Sequence, residues 1–272
     1  MTSPFLHQRH LQNLVWPELA RQAARPGSTV LWPFGATEQH GPHLPLATDA
    51  LFADAVADAV LAALPDELPI WRLPVQSLGF SPEHHGFPGT LSLPADLLIA
   101  QVVAVGQQLA EAGFQRLLLF NGHGGQIALL EVAARELRRR SPGLAVLPCF
   151  LWRGPEGVAE LIPEPERSRG LHAGLAETSL MLRLHPELVV RGHGVVQADR
   201  GATPPEPPPG WSLEGEAPCS WRTLELSRSG VIGDPAGAGA PLGDALLERL
   251  VSGWRQRLEA LLRSDWPPTT AV

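Results

Sequence analysis

The feature that most constrains the fold is a nearly continuous apolar run at residues 115–120, followed at once by a glycine-rich turn. The run Gln115-Arg116-Leu117-Leu118-Leu119-Phe120 is typical of a central parallel strand covered on both faces. The turn Asn121-Gly122-His123-Gly124-Gly125-Gln126 leads into a helical pattern at 127–140. Strand, tight turn and helix in this order predict an open α/β sheet with ligand-binding loops at the carboxyl ends of its strands.

The same alternation of strand and helix continues along the chain. Apolar runs predict further strands at 29–34, 69–73 and 144–150. Periodic apolar positions predict helices at 50–64, 94–113 and 241–263. We therefore expect a single domain over residues 1–272, a three-layer α/β sandwich with a mostly parallel central sheet. The stretch 154–169, rich in Pro, Glu and Arg, is expected to cover the site, and 201–218 to form an irregular loop.

Composition mainly excludes classes of function. The net charge of -7 and the lack of a basic run argue against a nucleic-acid surface. No stretch reaches about 18 uninterrupted apolar residues, so no membrane span is expected. Residues 1–7 lack the basic and apolar segments of a signal peptide, and two cysteines cannot form a disulfide framework. We therefore expect a cytoplasmic protein.

A polar loop directly after 29–34 concentrates the side chains that divalent cations prefer. Residues 38–49 hold one Glu, two His and one Asp within twelve positions, and carboxylate with imidazole suits hard to borderline metals. In an extended segment Glu38 and His40 share one side, while Asp49 opens a predicted helix. The loop therefore predicts a metal site. The alternative is an exposed polar loop in which His43 is solvated and Thr48 caps the helix.

Another loop, 79–90, also carries Glu and His. Its Gly and Pro residues predict a defined shape, and Glu83, His84 and His85 lie within it. It is equally consistent with a surface turn whose histidines are solvated. In the turn after 115–120, His123 favours a metal over a phosphate, because neither a Lys-Ser/Thr pair nor a G-x-G-x-x-G spacing is present.

The segment 170–179 brings a histidine and a glutamate to the start of a predicted helix. His172 lies on the approach and Glu177 inside the first part of the helix, so both side chains are candidates to face one cavity. The alternative is that Glu177 only interacts with the helix macrodipole. That alternative leaves its pairing with His172 unexplained.

Together these loops resemble those of the creatininase (creatinine amidohydrolase) family. The resemblance extends from residue 29 to about 250. The matching segments are Glu38-Gln39-His40-Gly41-Pro42-His43-Leu44-Pro45 through Thr48-Asp49, Glu83-His84 with Phe87-Pro88-Gly89-Thr90, Asn121-Gly122-His123-Gly124-Gly125, His172-Ala173-Gly174 with Glu177-Thr178-Ser179, and residues 230–235. The resemblance implies a three-layer α/β fold, two divalent metal ions per subunit (Zn, Mn or Fe) and a homo-oligomer, usually a hexamer.

The resemblance also implies a ligand set. By position, Glu38, Asp49 and His123 would hold one metal, and His40 with the bridging Asp49 would hold the second. A carboxylate suits a bridge because it offers one oxygen to each cation.

One position departs from the family pattern. Creatinine-hydrolysing members add a Glu two residues after the histidine matched by His123, where this chain has Gly125. The departure makes creatinine a doubtful substrate and makes Glu177 the candidate to complete the second metal's ligands. His172 matches the family residue that transfers a proton, and Glu177 is a second candidate catalytic residue. His43, Glu83 and His84 are expected to orient ligands rather than bind metal.

The implied activity is hydrolysis of a carbon–nitrogen amide bond in a small substrate, possibly a cyclic one, by metal-activated water. Two alternatives remain. The His-Ala-Gly-x-x-Glu-Thr-Ser form and the Gly-Val-Ile-Gly-Asp-Pro turn look most like the mycofactocin-type peptidases, which release a C-terminal dipeptide. The other alternative is a binding protein that kept the fold and lost the activity. The expected partner is a small molecule or short peptide, and neither nucleic acid nor membrane.

Overall fold

Strands and helices alternate in the structure, a computed structural model that describes residues 9–190, 206–215 and 217–267. The strands are β1 (Thr29–Phe34), β2 (Ile70–Arg72), β3 (Arg116–Asn121) and β4 (Ala145–Phe150). The α-helices are α1 (Trp16–Ala23), α2 (Thr48–Ala63), α3 (Ala95–Glu111), α4 (Ile127–Arg140), α5 (Glu166–Arg169), α6 (Leu175–Leu184), α7 (Thr223–Leu226) and α8 (Ala240–Leu262). The main predicted elements are present, with ends shifted by one or two residues.

The four strands form one parallel sheet in the order β2-β1-β3-β4. The chain passes from β1 to β2 on one side and returns to β3 on the other, so the strand order reverses between β1 and β3. In such sheets ligands bind beyond the carboxyl ends of the strands at this point. The pairing of Phe34 with Asn121 brings the last residues of β1 and β3 side by side.

Helices cover both faces of the sheet because its strand residues alternate between two apolar clusters. Leu31 and Leu118 pack in the cluster that α2, α6 and α8 complete. Val30 and Leu117 point the other way, into the cluster that α1, α3 and α4 complete. All six residues of β1 and of β3 are buried, as expected of strands covered on both faces. The predicted three-layer α/β architecture is confirmed.

The helices and the predicted loop 201–218 bear on two expectations from the sequence. Neither the 23-residue α8 nor any other helix within the described ranges has an apolar stretch long enough to cross a bilayer. Of the predicted irregular loop 201–218, residues 201–205 and 216 lie outside the described residues, and the described part of the loop carries only turns and an isolated bridge. Residues 1–7 also lie outside the described residues.

Candidate metal centre

The candidate ligands converge where β1 and β3 end. The loop after β1 folds back on itself, because the Glu38 N–H donates to the Leu46 carbonyl at 2.9 Å, and this places the first turn of α2 beside Glu38. The N–H of Gly122 donates to the Phe34 carbonyl at 2.8 Å, which extends the β1–β3 pairing into the glycine-rich turn. The two loops and the start of α2 therefore meet at one edge of the sheet.

A first group of donor atoms is formed by Glu38, Asp49 and His123. The His123 Nδ1 atom lies 3.3 Å from Glu38 Oε2 and 3.0 Å from Asp49 Oδ2. On the other side of the ring, His123 Nε2 donates to the Phe80 carbonyl at 3.0 Å, so Nδ1 is the nitrogen that faces the carboxylates of Glu38 and Asp49. Donor atoms that share a cation at about 2.1 Å lie at most about 4.2 Å apart, and the two distances from His123 meet that limit.

A second group is formed by His40, Asp49 and Glu177. His40 Nε2 lies 3.2 Å from Asp49 Oδ1 and 4.0 Å from Glu177 Oε2, and its Nδ1 donates to the Glu38 carbonyl at 3.3 Å. Asp49 thus turns one carboxylate oxygen toward His40 and the other toward His123. This is the arrangement that a carboxylate bridging two cations requires.

The residues present fit divalent cations, because buried carboxylate oxygens lack partners. Glu38 and Asp49 are almost fully buried, yet both oxygens of Glu38 and Oδ2 of Asp49 accept no hydrogen bond from the described residues. An uncompensated buried carboxylate is costly, so it is normally paired or coordinates a metal. The orphaned oxygens point to cations as the missing partners.

Burial and mutual charge shift the pKa values of these groups strongly. Burial alone would lower the pKa of His40, but the carboxylates of Asp49, Glu177 and Glu38 outweigh it and raise that pKa to about 9. Burial also lowers the pKa of His123, but neighbouring carboxylates, Glu38 first among them, outweigh it and hold that pKa well above its usual range. Burial raises the pKa of Glu177 to about 7. Without metal, protons on the two imidazoles balance the carboxylates.

The start of α6 places Glu177. Glu177 is the third residue of the helix, and its Oε2 accepts the backbone N–H of Ala173 at 2.6 Å. Ala173 has a φ of 55°, a left-handed conformation that non-glycine residues seldom adopt and that clusters at functional sites. The same Oε2 lies 4.0 Å from His40 Nε2. Glu177 therefore both accepts a hydrogen bond at the helix start and faces His40 of the second donor group.

His172 also turns toward the centre. Its backbone pairs with Ile232, donating at 3.0 Å and accepting at 2.8 Å, which anchors it to the 230–235 turn. Its Nε2 donates to the Gln39 carbonyl at 2.7 Å, and its Nδ1 lies 3.8 Å from Glu38 Oε1. Burial, followed by the charge of His40, lowers the pKa of His172 well below its usual range, so the ring is neutral.

Glu83 belongs to the site in a way that sequence analysis missed. Its Oε1 lies 3.3 Å from His123 Nε2, and it forms a third potential ligand group with Glu38 and His123. A Cβ added to Gly125 would lie 1.8 Å from Glu83 Oε1, so the glycine leaves the space that this carboxylate takes. The loop 79–90 was recognised as rich in Glu and His, but its contact with Gly125 joins positions far apart in sequence.

The other histidines of the loops differ in their distance from the donor groups. His84 Nε2 lies 3.3 Å from Glu38 Oε1, so this ring is in a position to orient that carboxylate. His43 Nε2 instead lies 2.8 Å from the hydroxyl of Thr178, and His43 belongs to none of the potential ligand groups among the described residues. His85 is exposed.

A cavity of about 660 Å³ opens over the centre. Its floor includes Glu38, Asp49, His123, His172 and Glu177, and much of its wall comes from residues within 213–215 and 218–222. The expectation that 154–169 covers the site was wrong, since no residue of that stretch lines the cavity. Its Glu166 instead accepts the N–H groups of Leu175 at 2.7 Å and Asp234 at 2.8 Å, and so joins the start of α6 to the 230–235 turn.

Comparison with known proteins agrees with this geometry. A family model described as "Creatininase: Creatinine amidohydrolase" matches residues 12–258. The chain belongs to the creatininase family. It is 33% identical over 234 residues to the mycofactocin precursor peptide peptidase of Mycolicibacterium smegmatis, covering 85% of this chain and 84% of the relative. It is 29% identical over 271 residues to the creatinine amidohydrolase of Pseudomonas putida, covering 94% and 96%.

Solved creatininase structures share the fold. A structure titled "Creatininase Mn" has a TM-score of 0.72 at 25% identity, covering 94% of this chain and 99% of the other. The structure of a mutant creatininase whose title gives it as "Zn-Zn type" has a TM-score of 0.71 at 26% identity, covering 94% and 98%. The predicted membership of this family of hydrolases acting on carbon–nitrogen bonds is confirmed.

Proposed function

We propose that this creatininase-family member hydrolyses a carbon–nitrogen amide bond at a centre of two divalent cations. Glu38, Asp49 and His123 would hold one cation, and His40, Asp49 and Glu177 the other. The observation that carries the proposal is Asp49, whose two buried oxygens point to two different imidazoles at 3.2 and 3.0 Å. A single carboxylate placed in this way serves both positions.

When bound, a pair of divalent cations polarises the scissile carbonyl and activates water as the nucleophile. The chain's own residues do the rest. His172 is neutral, and its Nδ1 faces the floor of the cavity, so this atom takes a proton from the attacking water and passes it to the leaving nitrogen. Glu38, His40 and Asp49 are at most 2% exposed, and this burial strengthens the electrostatic interactions among them.

Four further parts of the proposal have separate support: the identity of the metal, the oligomeric state, the cellular compartment and the number of domains. Zinc or manganese is proposed because creatininase structures are titled with these metals and because the mixed nitrogen and oxygen donor set suits both. A homo-oligomer, in hexameric form, rests on the family resemblance. Cys149 and Cys219 are free thiols, which supports the cytoplasm as the compartment. One domain over 1–272 is proposed because the apolar clusters on the two faces of the sheet share its strands.

A short peptide is the second candidate substrate. The cavity of about 660 Å³ lies within the range of about 300–1,000 Å³ typical of ligand pockets. Relatives 33–34% identical to this chain are named mycofactocin precursor peptide peptidases. A peptide ending at the metal centre would place its preceding residues along the 213–222 wall.

The proposal is tested by metal analysis and hydrolysis together. Purified protein reconstituted with Zn²⁺ or Mn²⁺ should hold two ions per chain and hydrolyse some members of a panel of cyclic amides and C-terminally varied peptides. Asp49→Asn should abolish hydrolysis and bind fewer ions. The exposed His85→Asn is the matched control and should retain both properties. Protein that holds less than one ion per chain and is inert on the whole panel would instead be a binding protein that kept the fold.

A further inference from the structure

Gln39 lies between Glu38 and His40, and its amide is buried among imidazoles. Its Nε2 lies 2.8 Å from His84 Nδ1, 3.1 Å from the Gly230 carbonyl and 3.1 Å from His172 Nε2. Its Oε1 accepts the backbone N–H of Gly41 at 2.9 Å. The residue is 5% exposed, so these partners replace water around the amide.

The partners fix which end of the amide is nitrogen. The N–H of Gly41 can only donate, so the atom facing it is the amide oxygen. The carbonyl of Gly230 can only accept, so the atom facing it is the amide nitrogen. Position 230, with a φ of +89°, also requires glycine for steric reasons, because a Cβ there would lie 1.9 Å from Gln39 Oε1. The orientation of the amide thus follows from partners whose roles are not in question.

The backbone of Gln39 determines the tautomer of His172. Its carbonyl lies 2.7 Å from His172 Nε2, and a carbonyl only accepts, so this ring nitrogen carries the hydrogen. The amide nitrogen at 3.1 Å is itself a donor and makes no hydrogen bond with that N–H. In its neutral form the ring of His172 therefore has its lone pair on Nδ1, the atom that faces Glu38 Oε1 at 3.8 Å.

The side chain of Gln39 determines the tautomer of His84. Because the amide nitrogen donates to His84 Nδ1, the hydrogen of that ring lies on Nε2, which is 3.3 Å from Glu38 Oε1. The hydroxyl of Thr223, 2.7 Å from the same Nδ1, can donate or accept and therefore adapts to either state. His84 consequently turns the Nε2–H side of its ring toward the carboxylate of Glu38, the proposed metal ligand.

We propose that Gln39 is a positioning residue that holds His84 and His172 in opposite roles, one with its Nε2–H turned toward Glu38 and the other with a free lone pair at the cavity floor. The ring centroids of His84 and His172 are 4.2 Å apart, and Gln39 contacts both rings, His84 through its side-chain amide and His172 through its backbone carbonyl. The tautomers follow from hydrogen bonds alone. The importance of the His172 lone pair rests on the proposed hydrolase function.

The test is ring ¹⁵N NMR of zinc-loaded protein labelled in histidine, with resonances assigned from single His→Gln variants. In the unsubstituted protein, His84 Nδ1 and His172 Nδ1 should be unprotonated nitrogens, and both Nε2 atoms should carry hydrogen. Gln39→Glu replaces the donor to His84 by an acceptor, so His84 Nδ1 should become protonated. Gln39→Met removes the donor and should give His84 a mixture of tautomers.

Two variants separate this role from a general structural one. Thr223→Val removes the adaptable hydroxyl and should leave His84 Nδ1 unprotonated. Gln115→Glu makes the same chemical change at an exposed amide that only accepts the Gly27 N–H, and should change no histidine resonance. Bound zinc should remain within about twofold in all four variants. Once a substrate is in hand, Gln39→Met should lower kcat about tenfold or more with KM little changed.

A protonated His84 Nδ1 in the unsubstituted protein, or an unchanged one in Gln39→Glu, would overturn the proposal. These outcomes do not depend on turnover. If the protein shows the expected tautomers but hydrolyses nothing, the proposed function is refuted and the role of Gln39 stands. If the protein is active but shows the opposite tautomers, the role of Gln39 is refuted and the proposed function stands.

Discussion

Metal binding at pH 7.5 is expected to release about two protons, because the imidazoles that face the metal positions hold protons in the metal-free protein. The pKa of His40 is raised to about 9, and that of His123 lies well above its usual range. A histidine must be neutral at the coordinating nitrogen, so each cation displaces one of these protons.

The size of the effect follows from the pKa values. At pH 7.5 a His40 with a pKa of about 9 is roughly 97% protonated, and removing that proton costs the second cation about 2 kcal/mol of binding free energy. Glu177, with a pKa of about 7, adds roughly a quarter of a proton. The apparent affinity of the second site should therefore weaken about tenfold for each pH unit between about 9 and 7, and more steeply below about 7, where Glu177 is also protonated.

Isothermal titration calorimetry of metal-free protein with Zn²⁺, in two buffers of different ionisation enthalpy, counts the protons released. His40→Gln should release about one proton fewer than the unsubstituted protein. Release of less than one proton while two ions bind would show that both imidazoles are already neutral, and would refute the charge arrangement inferred here.

The raised pKa of His40 affects the stability of the metal-free protein with the opposite pH dependence. The pKa of His40 is raised above its unfolded value of about 6.5, so its contribution to stability is complete below that pH and is lost as pH rises through about 9. The Tm of metal-free protein should therefore fall between pH 7 and 9, over the range in which metal affinity rises.

Three further predictions concern other residues of the site. Glu177→Gln should reduce bound metal from two ions to one by atomic absorption, whereas unchanged occupancy would limit Glu177 to its contact with the helix start. Gly125→Ala should push the Glu83 carboxylate and the His123 ring aside and weaken metal binding by about tenfold or more, and Glu83→Ala should recover only part of the loss. At pH 8 iodoacetamide should label Cys219 in the cavity wall before Cys149 by mass spectrometry, because burial raises the pKa of Cys149 to about 12; equal labelling would contradict this.

The sequence was sufficient for the parts of the site that follow strands. Glu38 and His123 come directly after β1 and β3, and parallel neighbours end at the same edge of a sheet, so their proximity follows from topology. Asp49 was found because it opens α2 within the same loop. These relations depend on local periodicity and strand order, which the sequence displays.

Other contacts depend on how irregular segments fold over the sheet. The meeting of Glu83 with Gly125, and of Gln39 with Gly230, joins loops that no periodic pattern relates. The segment expected to cover the site was 154–169, but the cavity is lined by residues within 213–222, and Glu166 instead accepts the N–H groups of Leu175 and Asp234. A carboxylate accepting hydrogen bonds at a helix start is a strong local interaction, yet its partner cannot be identified from composition.

The separation of the cavity into floor and wall has an evolutionary consequence. The floor is tied to β1, β3 and α2, whose apolar residues also form the core, so substitutions there threaten folding and chemistry together. The 213–222 wall contributes little to either apolar cluster. Descendants of such a chain can acquire new specificities by remodelling that one surface segment while the inherited reaction centre passes on unaltered.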